Sequence, residues 1–64
     1  SDVINISVPG SVEINNARLF DILGKNTGVT ISNGTMNIGT LAKGVYMLSI
    51  ETTAGTLTKK IVKR

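Results

Sequence analysis

Leu41-Ala42-Lys43-Gly44-Val45-Tyr46-Met47-Leu48-Ser49-Ile50 contains the longest apolar run of the chain, and Gly44 punctuates its start. Five of the seven residues from Gly44 to Ile50 are apolar, and Val45, Tyr46 and Ile50 favour β structure. A run of this length between turn signals reads as a buried strand. At a period of two, Tyr46, Leu48 and Ile50 share one face, while Val45 and Met47 share the other with the polar Ser49 and Glu51. One face fully apolar and one turning polar halfway predicts the middle strand of a sheet packed against a second sheet.

Working outward, the last strand spans 57–63 and is joined to 45–52 through Thr53-Ala54-Gly55-Thr56. Pairing Thr52 with Leu57 sets Leu48 opposite Ile61 and Met47 opposite Val62, apolar against apolar. Before the central run, Gly39–Gly44 reads as a crossover loop, with Leu41 plugging the core and Gly44 in a conformation that strains other residues. Residues 29–38 form a hairpin. Asn33-Gly34 calls for a type I′ turn, which sets Ser32 opposite Thr35, Ile31 opposite Met36 and Val29 opposite Ile38. All four large apolar side chains then share one face, so turn chemistry and hydrophobic pattern agree.

Residues 24–28, Gly-Lys-Asn-Thr-Gly, form a loop with glycine corners. A strand is expected at 17–22, with Ala17 and Leu19 on one face and Arg18, Phe20 and Ile22 on the other. Asn15-Asn16 just before it is a candidate bend or bulge. The competing reading is a helix, for which Gly24 and Gly28 leave too little room. Residues 2–8 alternate, with Ile4, Ile6 and Val8 on one side, and Pro9-Gly10 ends them in a turn. The expected fold is an all-β, Ig-like antiparallel β-sandwich of about seven short strands, with a small, partly open barrel as the alternative.

Composition narrows function by exclusion. The 64 residues make one domain, residues 1–64, of a size that is marginal without staples. With no Cys and no His, disulfides, thiolate metal sites and the commonest general base are gone. Asp21 and Glu51 stand alone in their segments, and strand positions facing water explain both. No loop has phosphate-binding or calcium-loop spacing, so no cofactor or metal is expected. Asn5-Ile6-Ser7 and Asn33-Gly34-Thr35 fit the glycosylation sequon, a triplet that arises easily by chance. No apolar run approaches transmembrane length. Ser1 is not an initiator Met, and the expectation is a processed product, an excised piece or the tail of a longer protein.

The net charge of +3 is lopsided: Lys59, Lys60, Lys63 and Arg64 supply four of the seven basic residues. The remainder is near neutral, so positive charge belongs to the C-terminus and not to the fold. Single-strand readers of nucleic acid also need exposed aromatics, and Phe20 and Tyr46 are the only aromatic residues. No nucleic-acid partner is expected.

Three segments in order carry a family resemblance. Leu19-Phe20-Asp21-Ile22-Leu23-Gly24-Lys25 looks like a hydrophobic–aromatic–Asp/Asn–x–x–Gly–basic signature. Met36-Asn37-Ile38 followed by Leu41-x-x-Gly44-Val45-Tyr46 is similar to a Leu-x-x-Gly-x-Tyr core. Thr58-Lys59-Lys60-Ile61-Val62-Lys63-Arg64 looks like a terminal Thr-x-Lys-hydrophobic-hydrophobic-Lys close. Together they resemble the type A C-terminal sorting domain of the type IX (Por) secretion system. Ser1–Ile6 resembles that family's first strand, without the Pro-Asn-Pro that usually precedes it, so the domain is expected to be trimmed at its N-terminus.

The resemblance implies a non-enzymatic Ig-like module fused C-terminally to a cargo domain. Cargo would pass through the periplasm, and the outer-membrane translocon and shuttle proteins would recognise the module. A sortase-like cysteine peptidase at the cell surface would then cleave or exchange it, leaving cargo secreted or on the surface. The resemblance also singles out Asp21, Gly24, Leu41, Gly44, Tyr46 and Ile61 as motif residues, and Lys59, Lys60, Lys63 and Arg64 as recognition residues. For Gly44 and Tyr46 the alternative is a purely structural role, and for the four cations a solvated strand end. The rival function is an Ig-like accessory or carbohydrate-binding module of a secreted protein. Sugar binding needs exposed aromatics or a polar cleft, and this sequence offers Phe20 at most.

Overall fold

A computed structural model describes residues 2–64, so Ser1, with which the first-strand resemblance begins, lies outside the described residues. The described residues form six strands: β1 (Val3–Asn5), β2 (Ile14–Asp21), β3 (Ile31–Ser32), β4 (Thr35–Asn37), β5 (Gly44–Thr52) and β6 (Gly55–Lys63). They build two antiparallel sheets of three strands each, in the orders β1-β4-β3 and β2-β5-β6, and the described residues contain no helix.

β5 is the middle strand of its sheet, as its apolar pattern predicts. Tyr46, Leu48 and Ile50 are buried on its inner face, while Met47 on the outer face is exposed. Ala17 and Leu19 from β2 join them, and Met36 and Ile38 come from β4 and the residue after it. Both sheets therefore feed one core. Leu19, Met36 and Leu48 are fully buried, each contributing about 1.5–3 kcal/mol through lost apolar surface. Ile4, Ile6, Val29, Ile31, Leu41 and Ile61 pack partly against this core, with Leu41 in the plugging position expected of it.

The described residues hold six strands where about seven were expected, and Asn15-Asn16 is the bulge, one of its two candidate readings. A bulge lies between Ile14, which pairs with Thr52, and Asn16, which pairs with Glu51. The Asn16 carboxamide oxygen accepts the Ala17 N–H at 2.9 Å, so Ile14 to Asp21 runs as one strand. That strand starts earlier than the expected 17–22 and releases Ile22, which is 76% exposed.

The Asn33-Gly34 hairpin has the expected inner register, Ser32 with Thr35 and Ile31 with Met36. Asn33 has φ 52° and Gly34 φ 76°, the two positive angles a type I′ turn requires. The strands separate before Val29 and Ile38 can pair, since β3 is only two residues long. Asn33→Ala should cost about 1 kcal/mol, because alanine tolerates positive φ poorly. A thermal melt checks this, with a lowered midpoint expected.

The β5–β6 register is two residues tighter than the one set by pairing Thr52 with Leu57. Thr52 pairs with Gly55, Tyr46 with Ile61, Leu48 with Lys59 and Met47 with Lys60. Neither Thr53 nor Ala54 needs positive φ, because Gly55 takes it up at φ 119°. The Thr52 hydroxyl donates to the Gly55 carbonyl at 2.7 Å and accepts the Ala54 N–H at 3.1 Å. The Thr53 N–H also donates to the Glu13 carbonyl at 3.0 Å, tying the turn to the segment before β2. A shift of two preserves faces, so the core is unchanged. Leu57 and Val62 are nonetheless about half exposed, and Ile61 is the β6 side chain that packs on the core.

Candidate functional site

The motif residues converge on one end of the β2-β5-β6 sheet. Asp21 closes β2 and builds the turn that follows. Its carboxylate Oδ1 accepts the N–H groups of Leu23 and Lys25, each at 2.9 Å. Its carbonyl accepts the Gly24 N–H at 2.9 Å, and its own N–H donates to the Lys25 carbonyl at 2.8 Å. Gly24 sits at φ 84°, where a side chain would be strained. The Asp–x–x–Gly spacing is thus a turn device. Ile22 and Leu23 between its two fixed points are exposed.

The chain continuing from this turn covers the outer edge of β2. Phe20 bridges to Asn26, and the Thr27 N–H donates to the Leu19 carbonyl at 2.9 Å. These contacts cover the β2 edge over Leu19–Asp21.

The Leu-x-x-Gly-x-Tyr segment fastens the crossover loop. The Leu41 N–H donates to the Ile38 carbonyl at 3.0 Å, folding the loop into a turn. The Tyr46 hydroxyl reaches back four residues to donate to the Ala42 carbonyl at 2.6 Å. Tyr46 is 8% exposed and lies between Asp21 on β2 and Ile61 on β6. Gly44 has φ 156° and open space where a Cβ would stand, so its constraint is one of backbone and not of packing.

The four C-terminal cations do not act as one cluster. The Lys63 ammonium donates to the carbonyls of Leu41 at 2.6 Å and Ile38 at 2.8 Å, with a longer contact to Gly39 at 3.4 Å. It staples the end of β6 to the crossover loop, which the Tyr46 hydroxyl also holds at Ala42. Lys59, Lys60 and Arg64 are exposed and make no ion pair among the described residues. The one ion pair there, Arg18 to Glu51 at 3.1 Å, is half exposed and adds little. Lys59 stands opposite Leu48 on the inner face of the sheet, whereas Lys60 stands opposite Met47 on the outer face.

Nothing in the charge pattern pointed to the Lys63 staple. Its parity with Ile61 and Lys59 places it on the inner face, which was the available signal. Lys63→Met should destabilise by about 1–2 kcal/mol, the worth of charge-assisted hydrogen bonds to partly buried carbonyls. Chemical denaturation measures this directly, with Lys60→Met as the near-neutral comparison.

None of these groups forms a catalytic constellation. Among the described residues, no three acidic side chains come together as a metal site. The arrangement can hold a loop, close a turn and present cations at a strand end.

A family model described as a secretion system C-terminal sorting domain matches residues 1–64, the whole chain. No curated protein and no solved structure gives a match.

Proposed function

Since the chain belongs to the secretion system C-terminal sorting domains, the sorting signals of type IX secretion, we propose that it works as a folded address that other proteins read. The observation that carries this reading is the family match over residues 1–64. The chain does no chemistry in this account. Its cargo is fused on its N-terminal side and crosses the periplasm before export. The outer-membrane translocon and its shuttle proteins bind the module, and a sortase-like cysteine peptidase at the cell surface removes or exchanges it.

An Ig-like sandwich suits this role. Two sheets around one core and a tyrosine hydroxyl bonded to a carbonyl a few residues upstream support that assignment. Roles divide among the motif residues. Asp21, Gly24, Leu41, Gly44, Tyr46, Ile61 and Lys63 maintain the shape, and Lys59, Lys60 and Arg64 face the machinery. The support for this division is local: the first group makes contacts within the fold, and the second is left to solvent.

The test is a fusion. A reporter with an ordinary signal peptide, carrying this chain at its C-terminus, should reach the surface or medium of a type IX-competent bacterium. It should stay in the periplasm when the translocon is deleted. A fusion that stays in the periplasm of both strains contradicts the proposal.

A further inference from the structure

Residues 25–27 cover the β2 edge over Leu19–Asp21, but among the described residues β6 has β5 as its one strand neighbour, and β1 is likewise an edge of its sheet. Between these two edges lies a groove of about 420 Å³. Ile4, Ile6 and Val8 form one wall, Leu57 and Ile61 the other, and Leu48 lies deeper. Lys59 lines the groove from the inner face, between Leu57 and Ile61 at a period of two, and among the described residues no acidic side chain lines it.

We propose that this groove is a strand-docking site for an extended partner segment that places a carboxylate between two apolar side chains on one face. Its backbone would extend the β2-β5-β6 sheet at the free edge of β6. Its apolar residues would contact Leu57, Ile61 and the Ile4–Val8 wall, and its carboxylate would meet the Lys59 ammonium. An edge strand is a ready template for addition, with backbone bonds giving affinity and alternate side chains giving specificity. Charge selects the occupant. A second copy adding antiparallel through β6 would bring its Lys59 and Lys60 near those of the first, and like charges oppose that pairing. An acidic strand turns the same lysine into an attraction.

The site deepens the sorting reading by naming the chemistry of the segment to be read. Its test uses purified chain and synthetic probes, so it can fail while export succeeds. The probe is a capped peptide alternating valine and threonine with one central glutamate, followed by NMR titration of backbone amides. Shifts should map to residues 57–61 and 4–8. A probe with central lysine should bind at least about tenfold more weakly. Lys59→Glu should reverse that preference and Lys59→Gln should erase it. Lys60→Glu, changed on the outer face, should keep it. Amide dispersion of each variant shows whether it is folded, and the two Lys59 variants provide independent readouts.

Five results overturn the proposal. The glutamate probe does not bind, or its shifts map elsewhere. Lys59→Glu and Lys60→Glu weaken binding equally, which marks diffuse electrostatics. A probe with proline beside the glutamate binds as well as the parent, which rules out strand addition. The free chain is a dimer that buries β6.

Discussion

Tyr46→Ala should unfold the domain and abolish export of a protein fused to it. Tyr46 is buried on β5, between Asp21 of β2 and Ile61 of β6, and its hydroxyl holds the crossover loop at Ala42. Truncating a buried aromatic costs about 3–5 kcal/mol. A domain of this length has roughly 3–10 kcal/mol in all. The variant should lose the cooperative thermal transition seen by circular dichroism. Tyr46→Phe separates the two contributions. It keeps the ring, loses one hydrogen bond worth about 1 kcal/mol, and should remain folded and exported. A Tyr46→Ala variant that melts like the parent yet is not exported would make Tyr46 a contact residue instead of a structural one.

The second large effect is on recognition and leaves stability nearly untouched. Changing Lys59, Lys60 and Arg64 together to glutamine should strongly reduce export of a fused reporter. All three side chains are exposed, and changes of exposed charge usually alter stability by no more than about 0.5 kcal/mol. Lys63 is kept, because its ammonium binds the loop carbonyls and its loss would confound folding with recognition. An export defect with an unchanged melting midpoint locates the readable surface. Normal export of this folded variant would remove the cations from the account.

How much of this was legible in the sequence depended on how local each cause is. Asn33-Gly34 and the alternation around Tyr46 are complete in a few residues, and their turn, register and buried face follow from them. The β5–β6 register does not. Thr53-Ala54 has no strong turn signal, and its geometry rests on Gly55 together with hydrogen bonds to Glu13, forty positions earlier. Asn15-Asn16 left a bend or a bulge open for a related reason, since only the partner residues Thr52 and Glu51 show it to be a bulge within one strand.

The site divides in the same way. The motif signatures are visible as strings, yet what they do appears when the loop at Ile38–Ala42 meets side chains from β5 and β6. Charge pattern presented Lys63 as one of four equivalent cations, because the carbonyls it binds lie more than twenty residues away. The groove beside Lys59 was equally out of reach, being set by which strand edge the second sheet leaves uncovered.

The most direct measurement is binding of the purified chain to purified outer-membrane translocon components, at low and high salt, beside the Lys59/Lys60/Arg64 glutamine variant. The account predicts that the parent binds, that its affinity falls as salt rises, and that the folded variant binds weakly at every salt concentration. Equal, salt-independent binding of parent and variant would contradict it, as would no binding by the folded parent.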